Sequence, residues 1–329
     1  MKKSITNLQQ FYLQTSQFTD LGRYKDEAID LWQNKCKGSL KLLCRYLMNV
    51  TVHPVVMQWA TEGRAQLVEP YGNFDFINYT TPIREDDIFL TATSMFAEIL
   101  RRDSMGFYIG RPVESRLKVS CRYVSVLVCA ILKANGIPCR SRAGWATYLS
   151  PKKALDHWVN EYWDAKQAKW IKIDLDDLYD PEDMPDADYK RNGIAKYYLN
   201  LQPKHFITAS EAWQSYRSGQ NIVGKLQYGS NPATPEHILK YLFLDLFAVM
   251  QYEVNYTFMP IAFNKKVEDL TQKQLKFADD LASLLQDVDG NWQKLYKLWQ
   301  TEPKVRLVAS PLVGADNYQA LIDDKKYKL

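Results

Sequence analysis

Histidine and cysteine are scarce in this sequence, which has four histidines and five cysteines in 329 residues. The cysteines show neither the spacing of a disulfide framework nor the paired CxxC spacing of a structural zinc site. No HExxH pattern occurs either, so we expect no metal and no cofactor. Any thiol or imidazole chemistry therefore depends on these nine residues. The five cysteines are Cys36, Cys44, Cys121, Cys129 and Cys139.

A strong charge bias and long apolar runs are also missing. The 42 basic and 38 acidic residues give a net charge of +4 without any basic stripe, so we expect no nucleic-acid partner. No apolar run is long enough to cross a membrane, and Met1-Lys2-Lys3 is followed by polar residues. We therefore expect no membrane partner, no signal peptide and a cytoplasmic location, which the unpatterned cysteines also favour.

Hydrophobic residues make up 46% of the chain, which is enough for a large core. Apolar residues recur at helical spacing before and after a central segment of mixed character. We therefore predict three regions: a helical region at 1–105 packed on the core, a central core at 106–190, and a mainly helical region at 191–329. The sequence leaves the oligomeric state open.

Cys121 lies at the start of a predicted helix in the central segment. Apolar residues follow it at helical spacing, and Asn135-Gly136 with Pro138 marks the helix end; these apolar residues are Val124, Leu127, Val128, Ile131 and Leu132. The partial positive charge of a helix N-terminus favours a thiolate, which is the nucleophilic form of cysteine. The backbone N–H groups there are also able to bind an oxyanion.

A β-hairpin is predicted from residue 157 to residue 174. Two segments rich in aromatic and branched residues flank the polar turn 164–169. Folding about the centre of this turn places Trp163 opposite Trp170 and Glu161 opposite Lys172. His157 and Asp174 then become diagonal neighbours on one face, as a histidine base and its orienting carboxylate require. Asp176 has the same parity and competes with Asp174 for the orienting role.

Three motifs carry a resemblance to a known family. They are Cys121 with Gly136-Ile137-Pro138-Cys139-Arg140, then His157-Trp158 with Glu161, then 170–174. Their order and spacing resemble the core of the transglutaminase-like superfamily of papain-fold cysteine enzymes. Further stretches resemble bacterial transglutaminase-like proteins over most of the chain: 111–116, 156–164, 209–219 and 244–260.

The resemblance implies an α+β fold with a papain/transglutaminase-like core. In this family the active-site helix packs on an antiparallel sheet, and a cysteine, a histidine and an aspartate form the catalytic triad. The matching positions here are Cys121, His157 and Asp174. The N-terminal and C-terminal regions would then be helical additions to this core.

Several residues near these motifs are candidates for substrate binding. Arg142 shares a strand face with Arg140 and is suited either to a substrate carboxylate or to a structural ion pair. Trp145 and Trp213 are candidates for lining a cleft, although packing in the core is an equally ordinary role for tryptophan. Trp158 and Glu161, which belong to the histidine motif, complete the set.

The predicted reaction is acyl transfer through a thioester on Cys121, with an amide- or peptide-type substrate. Release of the acyl group to water would make the protein a hydrolase, that is an amidase, peptidase or deamidase. Release to an amine would make it a transglutaminase-type acyltransferase. The alternative is a catalytically silent binding or scaffolding protein with the same fold.

Two other features are assigned no chemistry at this stage. His53 precedes a proline and belongs to no motif, so we interpret it as structural. The acidic stretch 174–188 lacks the ligand spacing of a calcium loop, so we interpret it as a solvated loop. A metal site built from His157, Cys121 and acidic residues is disfavoured because no metal-binding spacing occurs.

Overall fold

The computed structural model describes residues 8–54, 85–150, 152–176, 198–307 and Leu312. The described part of the chain contains both helices and strands. The α-helices are α1 (Leu8–Leu13), α2 (Lys25–Asp30), α3 (Leu40–Val50), α4 (Ala92–Arg102), α5 (Cys121–Ala134), α6 (Ala209–Arg217), α7 (Pro235–Val249), α8 (Gln272–Gln286) and α9 (Trp292–Thr301). The strands are β1 (Thr51–Val52), β2 (Leu117–Lys118), β3 (Cys139–Ala146), β4 (Ala154–Asp164), β5 (Lys169–Ile173), β6 (Phe206–Thr208), β7 (Leu226–Tyr228) and β8 (Asn231–Pro232).

The fold is α+β, and its chain divides into two compact units. The helix-centred unit comprises Tyr12–Cys139 and Val159–Leu201. The strand-centred unit comprises Met1–Phe11, Arg140–Trp158 and Gln202–Leu329. The three-region division of the sequence stays a prediction, and parts of each region lie outside the described residues.

Helix α5 is the core of the helix-centred unit. Every residue from Cys121 to Lys133 is buried, and α2 and α4 pack against the helix. The second half of β4 lies on another side of α5, where the Asn160 side chain donates hydrogen bonds to the Ser125 carbonyl at 3.0 Å and to Cys129 Sγ at 3.2 Å. Asn160 is 2% exposed, so these bonds satisfy a buried amide and fix the helix against the strand.

The predicted ends of α5 and the predicted register of the hairpin are confirmed. Ser120 and Asn135 flank the helix, and Gly136 ends it with a φ of 74°, a conformation that glycine adopts readily. Strands β4 and β5 are antiparallel, with Glu161 opposite Lys172 and Trp163 opposite Trp170. Local turn and helix-end signals were therefore sufficient to locate these two elements.

An ion-pair network joins α4 to the segment before α5. Glu98 accepts hydrogen bonds from Arg101 and Arg102, and Arg102 also donates to Glu85 at 2.6 Å. The bonds from Arg101 and Arg102 lower the pKa of Glu98 to about 2 against the opposing effect of burial. The carboxylate of Glu85 in turn accepts the Lys118 backbone N–H at 2.8 Å. The network therefore stabilises β2, immediately before Cys121.

We expect Glu98→Gln to lower the free energy of unfolding by about 2 kcal/mol at neutral pH, because the charge-assisted bonds to two arginines are weakened or lost. A carboxylate with a depressed pKa stabilises the fold above its unfolded pKa of about 4.5, and this stabilisation is lost as the pH falls towards about 2. The difference between wild type and variant should therefore shrink over this window in urea titrations. Glu268→Gln, at an exposed ion pair with Lys266, is the matched control, and an equal loss there would contradict the prediction.

The strand-centred unit combines a sheet with a group of helices. Its strands lie in the order β6, β3, β4, β7, β8, and α6, α7 and α8 pack against one another. β3 and β6 are antiparallel, with Gly144 opposite Thr208. A side chain at position 144 would collide with the Ile207 carbonyl and the Phe206 ring, so the close approach of these strands requires glycine. β7 runs parallel to β4, which makes the sheet mixed where an antiparallel sheet was predicted.

A buried ion pair links β3 to α7 in the same unit. The Arg142 guanidinium donates two hydrogen bonds of 2.8 Å to the two carboxylate oxygens of Asp245. The backbone N–H of Ala143 donates a third bond, of 3.0 Å, to the same carboxylate. Asp245 is fully buried, and these three donors satisfy both of its carboxylate oxygens.

Candidate active site

Cys121 is the first residue of α5, and the segment before it is held by Asp86. The Asp86 carboxylate accepts hydrogen bonds from the Ser120 backbone N–H at 2.9 Å and from the Ser120 hydroxyl at 3.1 Å. The Tyr123 hydroxyl also donates to the Asp86 backbone carbonyl. These contacts fix the first turn of α5 and place the thiol, which is 4% exposed, at the helix N-terminus.

Three side chains with different donor atoms meet at this point in the helix-centred unit. The thiol sulfur of Cys121, a ring nitrogen of His53 and a carboxylate oxygen of Asp176 all lie within 4.8 Å of one another. His53 follows β1, which pairs in parallel with β2, and the Val119 backbone N–H donates to the Val52 carbonyl at 3.2 Å. This short ladder brings residue 53 alongside the start of α5.

Asp174 positions Asp176 through the backbone. One oxygen of the Asp174 side chain accepts the Asp176 backbone N–H at 3.0 Å, and the Asp174 N–H donates to the Tyr198 carbonyl at 2.8 Å. Leu175, between the two aspartates, is buried, and its carbonyl is 3.8 Å from Cys44 Sγ. The two aspartates that the sequence offered as competing orienters are thus parts of one buried turn.

His157 lies in β4, in the strand-centred unit. It is 4% exposed, and the ring of Tyr148 stands edge-on at 6.4 Å between ring centroids. The neighbouring Asp156 accepts hydrogen bonds of 2.8 Å from the Gly229 N–H and the Tyr241 hydroxyl. Burial raises the pKa of Asp156 above its ordinary value. The combination of His157 with Cys121 and Asp174 into one triad stays a prediction.

Three of the predicted substrate-binding side chains have partners in the protein scaffold. Arg142 is paired with Asp245, as its alternative interpretation anticipated. The indole N–H of Trp145 donates to the Gln227 carbonyl at 3.1 Å, and that of Trp213 donates to Asp279 at 2.8 Å. Both indoles are fully buried, so these contacts account for their positions, and substrate binding by the three residues stays a prediction.

The other two predicted substrate-binding residues flank the middle of β4. Glu161 faces Lys172 across the hairpin, with 3.7 Å between the charged atoms. Trp158 is 1% exposed and packs edge-on against Tyr256. Its indole N–H has no hydrogen-bond acceptor within the part of the chain that the structure describes. A role of either residue in substrate binding also stays a prediction.

Comparison with protein-family models finds a match in the segment that contains Cys121 and His157. Residues 113–175 match the family model described as Transglutaminase-like superfamily. This segment is transglutaminase-like. It begins just before β2 and ends in the turn that carries Asp174, so it contains Cys121, His157 and Asp174. Together with the Cys-His-Asp group at Cys121, the match supports a papain-like cysteine enzyme fold.

The match covers the transglutaminase-like segment and leaves the remaining residues of the chain unmatched. No curated protein and no solved structure matches the chain. The wider resemblance to bacterial proteins therefore stays a prediction. No helix in the described ranges has both the length and the apolar character needed to span a membrane. The acidic stretch after Asp176 lies outside the described residues.

His53 is the residue that sequence reasoning missed. It lies outside the transglutaminase-like segment and precedes Pro54, so no motif marked it. The only signal available was the pair of β-branched residues Thr51 and Val52, which form β1. Two residues are too few to predict which segment they pair with.

Proposed function

We propose that the protein is a cysteine-dependent acyl-transfer enzyme that forms a thioester on Cys121. In this proposal His157 is the general base and general acid, and Asp174 orients its imidazole. The substrate is an amide or a peptide. The observation that carries the proposal is the position of Cys121 as the first residue of a buried helix within the transglutaminase-like segment.

The proposed chemistry follows from the properties of a thiolate at a helix N-terminus. His157 takes the thiol proton, and Sγ of Cys121 attacks the amide carbonyl to form a tetrahedral oxyanion. The C–N bond then breaks, the leaving amine takes the proton from His157, and a thioester remains. The helix N-terminus favours both the thiolate and the oxyanion, since each is negatively charged.

Water is the acceptor that we favour for the thioester, which gives hydrolysis. Transfer to an amine is the other outcome of the same intermediate. An acyltransferase needs an amine-binding site that excludes water from the thioester. The hydrolytic reaction needs only a water molecule that His157 deprotonates, so an amidase, peptidase or deamidase is the simpler proposal.

Alkylation by iodoacetamide tests the proposal without a substrate. We expect Cys121 to be labelled rapidly well below about pH 8.5, the pKa of a free thiol, because the thiolate is the reactive form. His157→Ala should slow this labelling by at least about tenfold at neutral pH, because the imidazolium partner is lost. Peptide mass spectrometry across a pH series follows each cysteine separately.

Cys36 and Cys129 provide internal controls in the same experiment. Burial raises the pKa of Cys36 to about 12, and Cys129 is fully buried in α5, so both should react slowly in the folded protein. Labelling of Cys121 as slow as that of these two residues would count against an activated thiol. The binding or scaffolding alternative would then be favoured.

A further inference from the structure

A second histidine and a second carboxylate surround Cys121, and the proposed reaction uses neither. His53 and Asp176 have donor atoms within 4.8 Å of Cys121 Sγ and of each other. All three residues belong to the helix-centred unit. Together they place one sulfur, one nitrogen and one oxygen atom close to one another.

The backbone around this group is held in place at two points. The β1–β2 ladder fixes His53 against the segment that leads into Cys121, with Thr51 opposite Leu117 and Val52 opposite Lys118. The Asp174 carboxylate holds the backbone N–H of Asp176. Cys121 and Asp176 are 4% and 6% exposed, whereas His53 is half-buried. The group is therefore pre-organised, and His53 is its least buried member.

The donor atoms select among metal ions. Mg²⁺ and Ca²⁺ prefer shells made of oxygen atoms, so a thiolate and an imidazole disfavour them. Zn²⁺ prefers thiolate sulfur, imidazole nitrogen and carboxylate oxygen, and a site with three protein ligands leaves its fourth position open. With zinc–ligand bonds of about 2.0–2.3 Å, tetrahedral ligand atoms lie about 3.3–3.8 Å apart. The three ligand atoms lie up to 4.8 Å apart, so the longest of these distances has to shorten by about 1 Å when zinc binds. Rotation of the His53 side chain is sufficient for a movement of this size.

We infer that Cys121, His53 and Asp176 form a Zn²⁺ site, with the fourth coordination position open to water. Binding converts the Cys121 thiol into a zinc-bound thiolate and releases its proton to solvent, without any change in oxidation state. The sulfur electron pair that would attack a carbonyl is then held by the metal. Zn²⁺ is thus a reversible inhibitor of the enzyme, a consequence that rests on the proposed function, whereas metal binding itself does not.

Metal binding is tested on the full chain after removal of metals with a chelator. Zn²⁺ is titrated in competition with a chromophoric zinc chelator, and we expect one Zn²⁺ per chain. His53→Gln and Asp176→Asn should each weaken Zn²⁺ binding by at least about tenfold. Removing a hydrogen-bond partner of a metal ligand already lowers metal affinity by about this factor, and removing the ligand itself should lower it at least as much. His205→Ala, a half-buried histidine in the other unit, is the matched control and should leave the affinity unchanged.

Cobalt supplies a readout that reports the sulfur ligand directly. Co²⁺ takes the same tetrahedral geometry, and its bond to a thiolate gives a sulfur-to-metal charge-transfer band. This band should be present in the wild type and in His205→Ala and absent in Cys121→Ala. Circular dichroism establishes that each variant is folded, and the near-isosteric Asp176→Asn keeps the test decisive if Cys121→Ala does not fold.

Alkylation of Cys121 at neutral pH, with and without Zn²⁺, separates this inference from the proposed function. Rapid alkylation that Zn²⁺ slows, together with loss of binding in His53→Gln and Asp176→Asn, supports both. Rapid alkylation with Zn²⁺ affinity unchanged by these two substitutions overturns the zinc site and leaves the proposed function standing. Slow alkylation in the metal-free protein, with binding lost in both variants, supports the zinc site and contradicts the proposed function.

Discussion

Replacing Cys121 by alanine is expected to abolish formation of an acyl-enzyme while leaving the fold intact. The wild type should become acetylated on Cys121 when it is mixed with p-nitrophenyl acetate, an activated ester that needs no specific binding site. Without the nucleophile, the rate of acyl transfer should fall by about 10⁴-fold or more, because the covalent route is lost. Intact-protein mass spectrometry measures the acetyl adduct, and p-nitrophenolate release measures the rate.

Two variants control this experiment. Cys36→Ala removes a fully buried thiol whose pKa is raised to about 12, and it should leave the adduct and the rate unchanged. Cys121→Ser keeps a hydroxyl of similar size and should also lose the adduct, because a serine hydroxyl is far less acidic than a thiol. Persistence of the acetyl adduct in Cys121→Ala would assign it to another residue, and unfolding of both Cys121 variants would indicate a packing role instead.

The second large effect is expected in stability rather than in activity. Asp245→Ala should lower the free energy of unfolding by about 3–5 kcal/mol, because it removes the buried carboxylate that accepts two hydrogen bonds from the guanidinium of Arg142. The backbone N–H of Ala143 also loses its acceptor. Urea denaturation followed by circular dichroism measures the loss, and the midpoint should fall while the slope stays the same.

A double variant separates the ion pair from the packing around it. Arg142→Met with Asp245→Leu replaces two buried charges by apolar side chains, and it should be more stable than Asp245→Ala because no charge is left uncompensated. Asp280→Ala, at an exposed pair with Lys276, is the surface control and should change stability by less than about 0.5 kcal/mol. If Asp245→Ala resembled this control, Arg142 would have to find another counterion in the folded state.

The parts of the fold that could be predicted from the sequence are those set by local rules. The end of α5 follows from Asn135 and Gly136, where only a residue that adopts positive φ easily continues the chain. The β4–β5 register follows from the polar turn between two segments in which apolar and polar residues alternate. Folding the chain about the centre of this turn places Trp163 opposite Trp170. Both features depend on residues fewer than twenty positions apart.

The features that could not be predicted join residues far apart in the chain. His53 reaches Cys121 through a two-residue ladder between segments 66 positions apart, as Thr51 opposite Leu117 illustrates. Asp245 meets Arg142 across 103 positions, and a sequence offers many other carboxylates for the same arginine. Such contacts are decided by tertiary packing. A local sequence pattern contains neither the entropic cost of closing the long loop nor the contacts that offset this cost. The candidate nucleophile and the two nearby aspartates were therefore predictable, and the position of His53 beside Cys121 was not.

The interleaved chain order of the two units has a consequence for synthesis on the ribosome. The helix-centred unit needs residues 159–201, and the strand-centred unit needs 140–158 as well as 202 onwards. A nascent chain released after residue 139 would carry α5 without the half of β4 that packs on it. Neither unit is therefore complete when its first segment emerges, and no single cleavage or truncation point yields one intact unit. Fragments cut at residues 105 or 190 should consequently be poorer starting material than the full chain.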